Sequence, residues 1–243
     1  MKLIKLDAID STNDYLKQLS TYSDTENFTV VIAKEQTNGK GQMGSKWESE
    51  KDKNLIVSIL IKNILSDSNQ IFNLNIAISN AIFNALKSFQ IPNLSIKWPN
   101  DILSGKEKIA GILIENIIKT DGQIFSIIGF GINVNQTNFD NLINANSLKN
   151  IINKELDINS LLVKIIDCIK ENIELLKDKQ EDLLWGNYNN LLFRKLIPTV
   201  FEDSNHNKFM GIIQEVSRNG RLILALENDL IQNFEIKKIK MLY

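Results

Sequence analysis

Two apolar runs, IAGILIENI and QIFSIIGFGINV, stand on either side of Thr120-Asp121-Gly122. Runs of that length and composition joined by a turn cluster read as a pair of strands, and they commit the chain to a sheet. LIKLDA, TVVIAKE, NLIVSILI and LSIKW add further strands, the last ended by Pro99. Between them the period changes. Asp10-Ser11-Thr12-Asn13 offers several helix N-caps before DYLKQLS, IFNLNIAISNAIFNALKSF carries apolar residues at spacings of three and four, and helical spacing returns from Ile158 to about Lys177. The sum is an α+β protein with a mixed sheet flanked by helices. Beyond Asn189 come the shorter runs KLIPTVFE, KFMGIIQEVS, RLILALE and IQNFEIKKIKML, separated by turn clusters at Asp203–Asn207 and Arg218–Gly220. Such spacing suggests a small all-β unit, so the chain divides into residues 1–188 and 189–243, the second a small barrel or sandwich.

Composition removes several classes of function. The 243 residues are 43% hydrophobic and 23% charged, as in ordinary globular proteins, and 28 Lys and Arg against 29 Asp and Glu leave a net charge of −1. That balance argues against general binding to DNA or to an anionic membrane. The single Cys168 forms no internal disulfide, and the amino end, MKLIKLDAIDSTNDYLK, lacks the apolar run of a signal peptide. No apolar stretch approaches the roughly 20 residues of a membrane span. A cytoplasmic protein is expected. Asn, Ile and Lys are over-used along the whole chain, so only their placement carries information.

Four segments have chemistry in them. Gln36 to Trp47 leaves a strand with three glycines, two lysines and a tryptophan. Glycines let backbone amides approach an anion, lysines add charge and an indole offers a stacking face, although a glycine-rich exposed hairpin would read the same way. Lys97-Trp98-Pro99-Asn100-Asp101 puts an ammonium, an amide and a carboxylate at a strand end, where Lys97 and Asp101 could partner each other; an Asn-Asp turn after Pro is the plainer alternative. Lys108 opens a strand whose Ala110-Gly111 pair leaves room for a ligand or marks a bulge. Gly129-Phe130-Gly131-Ile132-Asn133-Val134-Asn135 is a strand thinned by glycine and ending in amides. His206, in a polar turn, and Cys168, on an apolar helix face, read as solvated and as core.

In combination and order, Ser-Thr-Asn, the G-K-G-Q-x-G-x-x-W loop, K-W-P-N-D, K-x-A-G-I-L-x-E and G-x-G-I-N-V-N resemble the catalytic domain of the biotin–protein ligases, from about residue 7 to residue 135. The tail resembles that family's SH3-like terminal barrel. With the first motif at Ser11, the repressor members' helix-turn-helix domain is not expected.

The resemblance implies an ATP-dependent ligase that activates biotin as biotinyl-5′-AMP and passes it to a lysine of a biotin carboxyl carrier protein. Ser11, Thr12, Asn13, Gln36 and the backbone at Gly111 and Ile112 would hold biotin, with Gly39, Lys40, Gly41 and Gln42 of the loop beside them; Ser11 or Thr12 could equally be simple helix caps. Lys40, Gln42, Asn100, Lys108 and Gly131 would face ATP, with Trp47 stacking on adenine and Asn133 hydrogen-bonding to it; loop anchoring is the alternative for Trp47. Lys108 would bridge biotin carboxylate and α-phosphate, Lys40 and Lys97 would support that centre, and Asp101 would orient or deprotonate the carrier lysine. Mg²⁺ is expected with ATP, but no carboxylate cluster announces metal ligands. Lys237, Lys238 and Lys240 alternate with apolar residues, as on a strand with one wet face, and could help hold the adenylate. The loop departs from the arginine-rich form of many relatives, with Lys40, Gln42, Met43 and Ser45 supplying fewer cationic forks. A lipoate–protein ligase and an idle biotin- or nucleotide-binding module are the alternatives, and a homodimer is left open.

Overall fold

The computed structural model describes the chain except residues 23, 66, 68, 69, 141, 143, 228 and 229 and the side chain of residue 43. Strands β1 (Leu3–Ile9), β2 (Val30–Gln36), β3 (Leu55–Lys62), β4 (Leu94–Lys97), β5 (Asp101–Ser104), β6 (Glu107–Ile118) and β7 (Ile124–Ile132) form a seven-stranded sheet in the order β1-β2-β3-β7-β6-β5-β4. β1 and β2 run parallel and the other neighbours antiparallel. The helices are α1 (Thr12–Leu19), α2 (Ile71–Ser88), α3 (Leu148–Ile152), α4 (Ile158–Lys177) and α5 (Glu181–Asn190).

Strand side chains alternate between faces, and here the two faces differ in kind. Val57 and Ile59 of β3 and Ile128, Phe130 and Ile132 of β7 point into one apolar core with Leu74, Ile78 and Ile82 of α2 and Leu161, Ile165 and Ile169 of α4. At about 1.5–3 kcal/mol for each such side chain removed from water, this layer carries much of the stability. The opposite face begins as a smaller core, Leu60, Phe125, Ile127 and Val31 under Leu16 of α1. Further along β7 it becomes Gly129 and Gly131, opposite Ser58 and Ile56 of β3. The first turn of α1 reaches only as far as Gly129, over which Asn13 stands, and beyond it, over Gly131, a cavity opens.

Sequence reading located β1 to β4, β6, β7, α1, α2 and α4, but not β5, α3 or α5. Helix α5 contains Gly186 and three asparagines, weak helix formers, and tertiary contacts hold it. Trp185 stacks on Phe72 at 5.8 Å and donates to Asn73 Oδ1 at 2.8 Å, Asn80 Nδ2 donates to the Leu184 carbonyl at 2.8 Å, and Tyr188 is fully buried.

The tail forms β8 (Pro198–Asp203), β9 (Lys208–Val216), β10 (Leu222–Ala225), β11 (Ile231–Phe234) and β12 (Ile239–Leu242), antiparallel in the order β11-β10-β9-β8-β12. The pairings leave β11 and β12 as edges, so no closed barrel is formed by the described residues. The run IQNFEIKKIKML is broken by a turn at residues 235–238, with Lys237 in the left-handed region (φ +65°), into two strands on opposite edges. Phe201, Ile213, Leu222 and Met241 join the core containing Trp185 and Tyr188, and α5 runs across the 188/189 boundary. Trp98 Nε1 donates to the Gly220 carbonyl at 2.9 Å, fastening the second sheet to the first. Among the described residues no helix is long and apolar enough to cross a membrane.

Candidate active site

The open part of the sheet face is built in two rows across the strands. Gly131 of β7 lies between Ile56 of β3 and Gly111 of β6, and Gly111 is in turn opposite Asp101 of β5. Trp47 lies over this row: a methyl at Gly131 would overlap the indole, and one at Gly111 would come within 3.2 Å of it. Glycine is required at Gly131 by that overlap, and at Gly111 a methyl would be tight against the indole and the Lys108 ammonium. Lys108 reaches the same row through a bulge. The β5–β6 register shifts between Ile102 and Leu103, so that Lys108, an odd number of residues from Gly111, shares its face. Its Nζ sits 3.1 Å from where a Gly111 Cβ would lie, 2.7 Å from Asp101 Oδ1 and 5.7 Å from the Trp47 ring centre. The Lys108 backbone is fixed by a 2.6 Å bond from its N–H to the Asn144 carbonyl.

The turn before Asp101 is positioned from the helical layer. The Pro99 carbonyl accepts from Asn75 Nδ2 of α2 at 2.9 Å and from the Tyr188 hydroxyl of α5 at 3.2 Å. Burial of Tyr188 pushes its phenol well above the usual range, so it acts as a permanent donor. Asn100 is buried, donating through Nδ2 to the Ile112 carbonyl at 2.6 Å, while its own carbonyl accepts from Ile112 N–H at 3.0 Å. Lys97 and Asp101 are register partners, yet they do not pair: Asp101 takes Lys108, and the Lys97 ammonium lies 4.7 Å from the Tyr243 ring centre.

The second row is Ser58–Gly129–Leu113, with Asn13 above it; a methyl on Gly129 would overlap the Asn13 carboxamide. Ser11 caps α1, its Oγ accepting from Asp14 N–H at 3.3 Å, and still lines the cavity. Thr12 donates its N–H to Gln36 Oε1 at 2.8 Å, which joins the start of α1 to the end of β2.

The glycine segment closes on itself, with Gly41 N–H bonded to Ser45 O at 2.7 Å, Trp47 N–H to Gly39 O at 3.0 Å and a single 3₁₀ turn at Gln42–Gly44. Its Lys40 reaches Asp14 of α1 at 2.6 Å, and that hydrogen bond, with Coulombic attraction to Asp14 and Glu115, holds the ammonium above its ordinary pKa. Trp47 Nε1 is buried without a partner among the described residues.

The cavity between the two sheets measures about 500 Å³. Seven lysines line it, Lys40, Lys46, Lys97 and Lys108 from the first sheet and its loop and Lys237, Lys238 and Lys240 from the tail, against the carboxylates Asp101, Glu202 and Asp203. In a chain of net charge −1 that is a strong local concentration of positive potential, suited to anions.

The wall thus brings together Ser11, Thr12, Asn13, Gln36, Lys40, Gly41, Gln42, Trp47, Lys97, Asn100, Asp101, Lys108, Gly111, Ile112 and Gly131. Two expected residues lie outside it. Gly39 is buried against the Trp47 carbonyl, and Asn133 is buried with its Nδ2 donating to the Asn146 carbonyl at 3.1 Å. Sequence reading passed over Ser58, the one hydroxyl inside NLIVSILI, and left Glu115, in the ILIENI strand, without a role; both stand directly behind the wall. His206 is 87% exposed and Cys168 is buried on α4. No group of three or more His, Cys, Asp or Glu among the described residues is arranged to hold a metal ion.

Residues 6–133, more than half of the chain, match the model of the Biotin/lipoate A/B protein ligase family. The "Bifunctional ligase/repressor BirA" of Escherichia coli is 28% identical over 234 residues, 90% of this chain and 68% of that one. Its namesake from Bacillus spizizenii is 33% identical over 138 residues, 57% of this chain and 42% of that one, so this chain spans less than half of that relative. The structure titled "Biotin protein ligase from Aquifex aeolicus in complex with biotin and ATP" superposes with a TM-score of 0.82 at 26% identity, covering 99% of this chain and 98% of that one. With a lysine-lined cavity on the glycine-thinned face of the same sheet, and with relatives that carry the name biotin–protein ligase, the chain belongs to the Biotin/lipoate A/B protein ligase family.

Proposed function

We propose that this protein is a biotin–protein ligase, joining the biotin carboxylate to a lysine of a biotin carboxyl carrier protein through biotinyl-5′-AMP. One observation carries the reading: the Lys108–Asp101 pair at 2.7 Å stands at the end of the Gly111–Gly131 floor, inside a cavity with seven lysines on its wall. A carboxylate and a triphosphate repel each other, and an ammonium between them removes much of that barrier by positioning and charge neutralisation. In the first half-reaction a biotin carboxylate oxygen attacks the α-phosphorus and the bond to the bridging oxygen breaks, its electron pair leaving with pyrophosphate. Lys108 faces both anions, and Lys40 and Lys97 stand on the same cavity wall. In the second, the neutral carrier amine attacks the acyl carbon, AMP leaves, and the amine proton passes to Asp101. At a free pKa of about 10.4 the carrier lysine is mostly protonated at neutral pH, so a carboxylate in reach assists transfer.

Ser11, Thr12 and Gln36 face the ring end of biotin, and Asn13 holds the wall behind them. Trp47 and Gly131 form the nucleotide side, where the unpartnered Trp47 Nε1 is a donor that a ligand acceptor would satisfy. Gln42 sits in the same loop. Asn100 works by fixing β5 to β6. Mg²⁺ belongs with the phosphates of ATP, since the described residues build no cage for it. An SH3-like character for the tail is supported by its strand order, in which the first strand, β8, lies between its hairpin partner β9 and the last strand, β12, and the division between the two sheets falls after α5 rather than at residue 188. A cytoplasmic location goes with this reading; among the described residues no helix is long and apolar enough to cross a membrane.

The test is incubation with biotin, Mg·ATP and a carrier domain, read by mass spectrometry. A biotin-sized increment on the carrier lysine is expected. An increment with lipoate but not biotin would replace this reading with a lipoate ligase, and biotin binding without ATP–pyrophosphate exchange would replace it with an idle module.

A further inference from the structure

Behind the ring end of the cavity, Glu115, Asn13 and Ser58 form a hydrogen-bonded chain that ends on Thr12. Glu115 is a carboxylate and accepts only, so the Asn13 amide must turn Nδ2 toward it, and the two lie 2.8 Å apart. Asn13 Oδ1 then faces Ser58 Oγ at 2.6 Å and claims its proton. Ser58 Oγ is 2.8 Å from Thr12 Oγ1, which is in turn 3.0 Å from Gln36 Oε1. Gln36 cannot relieve this by turning its amide, because Oε1 already accepts from the Thr12 N–H at 2.8 Å. Three oxygen–oxygen contacts therefore share two hydroxyl protons. Whichever way the Thr12 proton points, to Ser58 or to Gln36, it points into the protein, and no internal hydroxyl donates to Thr12 Oγ1. Ser58 is fully buried, and Thr12 is buried except where it lines the cavity, so the missing donor can reach Thr12 Oγ1 only from the cavity side.

We infer that Glu115 is a positioning residue that keeps this network one donor short, reserving Thr12 Oγ1 as the acceptor for an N–H of the ligand's cyclic urea. The inference rests on the reading of the cavity as a biotin site. Beside Thr12, Gln36 Nε2 has no partner among the described residues and supplies the complementary donor for a urea carbonyl. The polarity of this wall, acceptor beside donor, is set by a carboxylate that need not touch the ligand. Without it Asn13 Nδ2 keeps only the Leu113 carbonyl, at a marginal 3.4 Å, so Asn13 can turn over, Nδ2 then donates to Ser58, and the Ser58 proton occupies Thr12 Oγ1 from behind.

The experiment is calorimetric titration of the full chain with biotin and with the two biotins N-methylated on the ureido ring, for wild type, Glu115→Ala and Glu115→Lys. Alanine lets Asn13 turn; lysine, a donor only, turns it. In wild type, one methyl isomer should bind far more weakly than biotin. In both variants the biotin Kd should rise about tenfold, the upper range for one hydrogen bond, and the ratio of methylated to unmethylated Kd should shrink by a similar factor. The KM for biotin should rise with it, while kcat at saturating biotin stays within about twofold. A merely structural role would weaken both ligands alike and leave the ratio unchanged; an unchanged ratio in either variant overturns the inference and leaves the biotin site standing. Failure of wild type to bind biotin overturns the reading beneath, and the inference with it.

Discussion

The two faces of the seven-stranded sheet are made from the same strands by opposite rules. On the helical side, Ile128, Phe130 and Ile132 of β7 alternate into a continuous apolar core. One residue out of phase, Phe125 and Ile127 are apolar under the body of α1, while Gly129 has no side chain beneath Asn13 of its first turn and Gly131 none beneath Trp47. Stability comes from filling one face and function from emptying part of the other, with the period of two keeping the demands separate. The helical layer also reaches through, since Asn75 and Tyr188 hold the Pro99 carbonyl that presents Asp101.

The separation is broken most severely at its charged end. Lys108→Ala is expected to lower biotin-dependent ATP–pyrophosphate exchange by about 10²–10³-fold, the range for removing one preorganised charge-stabilising group. Thermal unfolding should change little, because the side chain is 36% exposed. An exchange rate like that of wild type would remove Lys108 from the centre of the mechanism.

Adjacent positions on β7 sharpen the contrast. Ile128→Ala, in the filled face, should lower stability by about 2–5 kcal/mol. Activity per folded molecule should be retained. Gly129→Ala, one residue on, puts a methyl into the Asn13 carboxamide and should raise the KM for biotin by one to two orders of magnitude, corresponding to about 1–3 kcal/mol of overpacking. Measuring melting temperature and KM for both variants decides it: if the two losses do not separate, the faces are not independent.

Asp101→Ala tests the division within the site. Transfer to the carrier should fall about 10²-fold through loss of the base, and adenylation by a smaller factor through loss of the Lys108 partner. Single-turnover measurement of each half-reaction reads this directly, and equal losses would make Asp101 only a partner for Lys108.

The filled face was more legible in the sequence than the emptied one. Helix α4 announces itself by an unbroken apolar period from Ile158 to Lys177, because local spacing and tertiary burial demand the same residues. Helix α5 has no such period and depends on Asn80, Phe72 and Asn73, which come from a distant part of the chain. Within the site, Lys108, Asp101 and the glycines were visible as anomalies in apolar strands. The pairing of Asp101 with Lys108 rather than Lys97 was not, because it follows from a bulge that local sequence left as one of two options at Ala110-Gly111. Asn133 was visible as an amide at a strand end, but that its Nδ2 donates to the Asn146 carbonyl, from the segment that also meets Lys108, was not. The lysines of the tail became wall residues only because the second sheet packs over the first, a contact between regions more than a hundred residues apart.

The mildest test lies wholly on the helical side. Asp157 caps α4, its carboxylate accepting from Ser160 N–H at 3.0 Å, Ser160 Oγ at 2.6 Å and Asn159 N–H at 3.3 Å. The Ser160 hydroxyl, followed by the Ser160 backbone N–H, holds the carboxyl below its usual range. A pKa lower in the folded than in the unfolded chain means that the cap stabilises above the unfolded value of about 3.9 and is lost as pH falls through the folded one. Asp157→Ala should therefore lower the melting temperature by about 2–4 °C at neutral pH, and the gap from wild type should narrow below about pH 4. Adenylation at 25 °C should be unchanged, since α4 packs on α2 and contributes no residue to the cavity. A loss of exchange activity from this variant would mean that the helical layer tunes the site as well as supporting it, and the two faces would then be coupled through α2 and its Asn75 bond to the Pro99 carbonyl.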